Sequence, residues 1–224
     1  MPQTSAAPIA RPRDAERTRT AVLDAAETLF AERGFAATSM AEVGAVAGVS
    51  RGTPGYFFRS KAELYRAVLD RSFADALEAV RAGRLRALRS GRPAADVLEG
   101  TVSDYVDFVA AHPAFVRLIQ REALGEAAGI GNLPLGQAVG SEAVAALAQA
   151  LGFSPRARSA VMQILLSLIA LTWFPLIHAT TLVSAIGFDA KDPRFTAARK
   201  KHITALLLAA LPPRRATPTR RSSR

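Results

Sequence analysis

Apolar residues recur at three- and four-residue spacing along most of this chain, the pattern of helices that bury one face. Val22, Ala25, Ala26, Leu29 and Phe30 form one such stripe across residues 14–33, and Gly34 stops it. Ser39-x-x-Glu42 is a capping box and predicts a helix with Met40, Val43 and Ala47 on one face. Gly48 ends that helix, because glycine enters the left-handed conformation at little cost. Val49 plugs the turn and Ser50 caps the next, short helix. Ser60-x-x-Glu63 then opens a longer helix with Leu64, Val68, Phe73 and Leu77 inward. Gly91-Arg92-Pro93 breaks the pattern, which predicts a domain boundary near residues 80–95.

Residues 94–111 resume it with Val97, Leu98, Val102, Tyr105, Val106 and Val109 inside. His112-Pro113 marks a new helix running to about residue 127, and residues 129–134 read as a loop. That loop's glycines follow no strand and lack the third glycine of a nucleotide-binding turn. A helix over 135–151 follows. Ser154-Pro155 starts another, expected to reach about residue 186, and Asp192-Pro193 starts the last, which Pro212-Pro213 ends. No segment alternates like a strand, so the fold class is all-α.

Two short helices joined by a tight glycine turn are the sequence form of a helix-turn-helix, whose second helix enters the DNA major groove. The ordered residues are specific: Gly48-Val49-Ser50-Arg51-Gly52-Thr53, Tyr56-Phe57-Phe58, then Ser60-Lys61. This set resembles the DNA-binding unit of TetR-type (TetR/AcrR) transcriptional regulators. The chain departs from their usual pattern at Gly44, Pro54 and Gly55, where that family usually carries Ala, Leu and an aromatic. Pro54 supplies no N–H for Ser50's carbonyl, so the recognition helix must start distorted or start late.

The resemblance implies an N-terminal three-helix helix-turn-helix domain and a C-terminal helical domain for ligand binding and dimerisation. The corresponding division is a basic arm at 1–13, the DNA-binding domain at 14–60, a connecting helix at 61–94, the ligand and dimer domain at 95–211, and an Arg-rich tail at 212–224. Candidate DNA contacts are Thr38, Ser39, Ser50, Arg51, Gly52, Thr53, Tyr56, Phe57 and Lys61. Thr38 and Ser39 stand at a helix start, where hydroxyls and free N–H groups favour a phosphate. The resemblance adds Thr53, Tyr56 and Lys61 as phosphate contacts. Arg51 has the fork that matches guanine O6 and N7.

Charge changes the picture only once it is divided. The net +10 splits into +1 over residues 1–60, +4 over 61–95, 0 over 96–211 and +5 over 212–224. The reading segment is therefore not itself strongly basic, and the excess suits a polyanion partner reached by the following helix and the tail. The chain has no cysteine, which removes disulfides and thiolate metal sites together. The first residues carry no secretory signal, so a cytoplasmic location is expected.

Residues 95–211 hold no acid–base or nucleophile cluster, which predicts a protein that is not an enzyme, with no cofactor and no metal. No Asp, Glu, Lys or Arg falls between Arg158 and Asp189, a stretch long enough to span a bilayer. Its Gln163, Ser167, Thr172, His178 and Thr180 with a mid-stretch Pro175 favour burial between helices or subunits over a membrane. In the last helix Phe195, Ala198, His202, Ala205, Leu206 and Ala209 make one stripe, and Ile203, Leu207, Leu208 and Leu211 widen it beyond what one neighbour covers. The last two helices are thus the expected homodimer contact. Tyr105, Phe108, Phe115, Thr172, Trp173, Phe174 and His178 are the candidates to line a pocket for a small, largely apolar effector, a role that the resemblance implies and that simple core packing also explains. The expected function is a homodimeric regulator bound to double-stranded operator DNA, a repressor released by that effector. The alternative is an effector-independent DNA-binding structural protein.

Overall fold

The computed structural model describes residues 12–125 and 134–211. The N-terminal arm through residue 11, most of the loop read at 129–134, and the Arg-rich tail lie outside the described residues. The described residues form nine α-helices and no strand: α1 Pro12–Arg33, α2 Met40–Val46, α3 Thr53–Phe57, α4 Lys61–Ser90, α5 Ala94–Ala111, α6 Pro113–Ala123, α7 Pro134–Leu151, α8 Arg158–Ile177 and α9 Pro193–Ala209. The chain divides into two compact units, residues 1–86 with 107–146 and residues 87–106 with 147–224. Helices α4, α5 and α7 contribute to both.

The first unit is built on the stripes read from sequence. Val22, Ala26 and Phe30 of α1, Val43 of α2, and Leu64 and Val68 of α4 are buried together with Phe58. Phe30 and Phe35 pack against the ring of Tyr65, edge-on, at 4.9 and 5.2 Å. Arg71 of α4 binds Asp24 at 2.6 Å and also pairs with Glu27. Burial works against the Arg71 charge, and the two carboxylates more than offset it, so its pKa lies above the ordinary guanidinium value. Helix α6 closes this unit. Its Arg121 donates to the carbonyls of Ala31 and Glu32 at 3.1 and 2.8 Å, at the end of α1 where unpaired carbonyls and the helix dipole favour a cation. Next to it, buried Glu122 accepts from the Tyr65 hydroxyl at 2.6 Å.

The second unit carries the departures from expectation. The helix expected to reach residue 186 stops at Ile177, and the chain continues as a π-helical turn over Ala179–Val183 that Gly187 ends. Pro175 lies inside α8, two residues before its end. It has no N–H to return to the carbonyl of Leu171, four residues back. Arg199 of α9 fills that carbonyl instead, through Nη2 at 2.8 Å and Nε at 3.3 Å. Burial lowers the Arg199 pKa from the ordinary guanidinium value. The last helix starts as read, with the Asp192 side chain accepting from the Arg194 N–H at 2.8 Å.

Candidate nucleic-acid interface

The turn into α2 is closed by its own polar groups. Ser39 accepts from the Glu42 N–H, while Glu42 Oε2 takes the Ser39 N–H at 2.9 Å and its hydroxyl at 2.7 Å. These bonds to Ser39, first through its side chain and then its backbone, and the nearby Arg33 hold the Glu42 carboxyl below its ordinary pKa. Thr38 is a correction to the sequence reading. It is 2% exposed, and its hydroxyl donates to the Gly34 carbonyl at 2.9 Å. The structure therefore gives Thr38 to packing beneath the turn, with no hydroxyl left for a phosphate.

Gly48 takes the left-handed conformation at φ 69° and ends α2 as expected. Ser50 does not cap the next helix. Helix α3 has Gly52 at its N-cap and starts at Thr53, so that Pro54 falls in the first turn, where its missing N–H has no helical partner to lose. Ser50 instead accepts the Thr53 N–H at 3.0 Å and shares a 2.7 Å hydroxyl contact with Thr53. The recognition helix is five residues long.

Its outward edge is sparse. Pro54 and Phe58 face inward, and the Arg19 guanidinium lies 5.2 Å over the Phe58 ring. Ser50, Arg51, Gly52, Gly55 and Tyr56 face solvent, Tyr56 at 85% exposure with Phe57 edge-on beside it at 5.2 Å. Lys61, at the start of α4, donates to the carbonyls of Phe35 and Ala36 at 2.8 and 3.3 Å, and its ammonium sits 4.5 Å over the Phe35 ring. It thus ties the α1–α2 link to α4, a role the sequence did not signal.

Part of the basic excess of α4 lies farther along the helix. At about 1.5 Å per residue, Arg81 and Arg86 stand about 30–38 Å along the helix from Lys61. Arg84 binds Glu142 at 2.6 Å. Arg66, by contrast, is exposed and only about 8 Å along the helix from Lys61.

This helix-turn-helix geometry is matched by the family model for bacterial regulatory proteins of the tetR family over residues 22–68, and the Tetracyclin repressor-like C-terminal domain model matches residues 95–207. The chain belongs to the TetR family. The HTH-type transcriptional regulator TtgR of Pseudomonas putida is 44% identical over 57 residues, 25% of this chain and 27% of TtgR. That alignment spans about a quarter of the length of the curated relative. A transcriptional regulator of Streptomyces coelicolor shares the fold with a TM-score of 0.64 at 25% identity, over 87% of this chain and 98% of that one. A TetR-family regulator of Mesorhizobium loti has the same TM-score at 16% identity, over 88% and 96% of the two chains.

The seven residues read as a TetR-type effector pocket divide between the units. Phe115 packs edge-on against Phe73 and Phe108 in the first unit, where Phe108 also stacks on His112. In the second, the Trp173 indole N–H donates to the Tyr105 hydroxyl at 2.8 Å, and Phe174 lies 4.5 Å from His178. Burial holds the Tyr105 pKa well above the ordinary phenol value, with the Trp173 bond offsetting part of that rise. Thr172 is buried, and its hydroxyl has no hydrogen-bond partner. An open cleft in the first unit is lined by Ala31, Glu32, Arg117, Gln120, Arg121 and Leu124, none of them among the seven.

Proposed function

We propose that this TetR-family chain is a homodimeric DNA-binding regulator of transcription, a repressor that a small, largely apolar ligand releases from its operator in the cytoplasm. The observation that carries the reading is the solvent-facing segment 51–56, which presents one guanidinium and one phenol from a helix-turn-helix. Phosphates position such a unit, and base edges specify it. Arg51 is the base reader, Tyr56 and Lys61 are the phosphate contacts, and Gly52 and Gly55 let backbone approach the groove wall.

Two reading segments must lie about 34–36 Å apart to meet successive major grooves, which calls for a two-fold dimer. Helices α8 and α9 support it. Leu166, Phe174 and Leu206 are 57%, 50% and 44% exposed in the single chain. Helix α8 is also long and apolar enough to cross a bilayer by length and composition, but its Gln163 and Ser167 share the exposed face with Met162 and Leu166. A second copy covers such a mixed face better than lipid does.

A ligand that binds one dimer geometry better than another changes operator affinity by that difference alone. The polar anchors would be Tyr105, Thr172 and His178 among the aromatic side chains. Inside the first unit, α6 offers a contiguous route to the reading head: Arg121 holds the end of α1, and Glu122 holds Tyr65 of α4.

Titrating duplex from around the chain's own gene tests the reading, followed by fluorescence anisotropy across a salt series. Saturable binding by two protomers per site is expected. Lys61→Ala should weaken binding to all sequences alike and shallow the salt slope by about one. Absence of site-specific binding by the unmodified chain sinks the regulator reading. Specific binding that no apolar ligand library shifts favours the effector-independent structural protein.

A further inference from the structure

Gly44 lies in α2, outside the reading segment, and is buried. A Cβ at this position would stand 2.9 Å from the Ser50 carbonyl oxygen, 3.3 Å from Arg51 Cα and 3.4 Å from Pro54 Cδ. Non-bonded heavy atoms attract best at about 3.5–4.0 Å, so even one methyl group would overlap its neighbours here. The two closest atoms belong to backbone, and no side-chain rotation relieves them. The neighbouring glycines differ. Gly48, Gly52 and Gly55 have nothing within 4 Å of a Cβ, and Gly48 is already explained by its positive φ.

The missing Cβ lets residues 50–54 seat directly on α2. The Val49 N–H donates to the Gly44 carbonyl at 3.0 Å, and buried Pro54 presses on the same spot. Arg51 starts from that seat. It is the guanidinium of the segment, and its Cα is one of the atoms a methyl group at 44 would displace.

We propose that Gly44 is a specificity-determining positioning residue: the space it leaves sets where Arg51 meets the base edges. The proposal rests on the operator reading given above. An arginine–guanine pair needs both donors within about 2.7–3.2 Å and well aligned, so a shift of a few tenths of an ångström at the Cα weakens it. Phosphate contacts carry no sequence information, so whatever the same shift does to them it does alike on every duplex. Discrimination should therefore fall by more than general affinity does.

The test starts from sites selected by the unmodified chain out of a randomised duplex library. Affinities for the best site and for an unrelated duplex are then compared at one salt concentration. Gly44→Ala is expected to lower the ratio about tenfold, with the unrelated duplex unchanged within about twofold. Gly100→Ala, a methyl group added to α5 in open space, should leave the ratio as it was. In an Arg51→Ala background, Gly44→Ala should add little further loss. Equal losses on both duplexes, or losses that simply add, overturn the proposal. A chain that selects no site at all overturns the operator reading instead. Should Gly44→Ala fail to fold, Pro54→Ala takes its place, since it removes a ring from the same contact and creates no overlap. Its ratio is expected to drop about threefold, and an unchanged ratio is equally fatal.

Discussion

The reading segment 51–56 and the helices α8 and α9 turn opposite chemistry to solvent. The first exposes a guanidinium, a phenol and two glycines, and its helix starts after Gly52 with no side-chain cap. The second exposes Met162, Leu166, Phe174 and Leu206. One surface offers charge and bare backbone, as suits a polyanion with grooves. The other is open in apolar area, as suits a second copy of itself. The difference also separates two kinds of information. The cap and turn of the reading head close through bonds between near neighbours, Ser39 with Glu42 and Val49 with Gly44, whereas α8 meets a partner helix at Leu171 and, in our proposal, takes its cover from a partner chain.

The strongest way to break this contrast is to charge the apolar surface. Leu166→Glu enters a two-fold dimer twice. Each lost leucine burial is worth about 1.5–3 kcal/mol before the cost of a buried carboxylate. The dimer dissociation constant should rise at least about a hundredfold by sedimentation equilibrium. Because Leu166 is already exposed in the single chain, helicity should not change. A variant that stays dimeric would move the interface elsewhere and remove the contrast.

A smaller effect tests whether α8 owes its shape to α9. Arg199→Met leaves the Leu171 carbonyl without its donors, at a cost of about 1–3 kcal/mol in denaturant unfolding. Pro175→Ala restores an N–H that can reach the same carbonyl. In that background Arg199→Met should cost distinctly less, and the difference is a coupling energy. Equal costs in both backgrounds would mean that the arginine does not compensate for the proline.

These two regions also explain what the sequence disclosed. Local signals were legible: the Ser39–Glu42 box, the left-handed Gly48, the Asp192-Pro193 start and the extent of α5. Each depends on residues within four positions of one another. The late start of α3 was legible as one of two outcomes, because Pro54 forbids an ordinary first turn after Ser50. What was hidden depends on contacts across the chain. Periodicity carried α8 past Ile177, where the chain turns π-helical, and only the 28-residue reach of Arg199 to Leu171 shows how the carbonyl that Pro175 leaves open is satisfied. The broad stripe of α9 was visible, but not that Ile203, Thr204 and Leu207 face inward while Ala198, His202, Ala205 and Ala209 face out. At the candidate site the motif named candidate residues but not their exposure. Thr38 proved buried, Lys61 proved tied to two carbonyls, and Gly44 was legible as a departure from the family's usual Ala but not as the point where the Ser50 carbonyl and Arg51 Cα come close.

The smallest effect probes whether the Ser39–Glu42 cap is as self-contained as its bonds imply. Glu42 is solvent-exposed, and its carboxyl is held below 4.5 by the Ser39 bonds and by Arg33, which lies 3.3 Å from Oε1. The folded chain therefore binds that proton less tightly than the unfolded chain. The stability that the box contributes is complete above pH 4.5 and is lost as pH falls through the lowered folded value. Glutamine can still accept the Ser39 N–H but cannot titrate. Glu42→Gln should thus flatten part of the acid limb of stability between about pH 5 and pH 2, with little change at neutral pH. Amide exchange at Glu42 and Val43 in α2 locates the effect. Acid-induced opening should appear at these amides in the unmodified chain and be reduced in the variant. Opening that is identical in both chains would mean that packing of Val43, rather than the capping box, holds the start of α2.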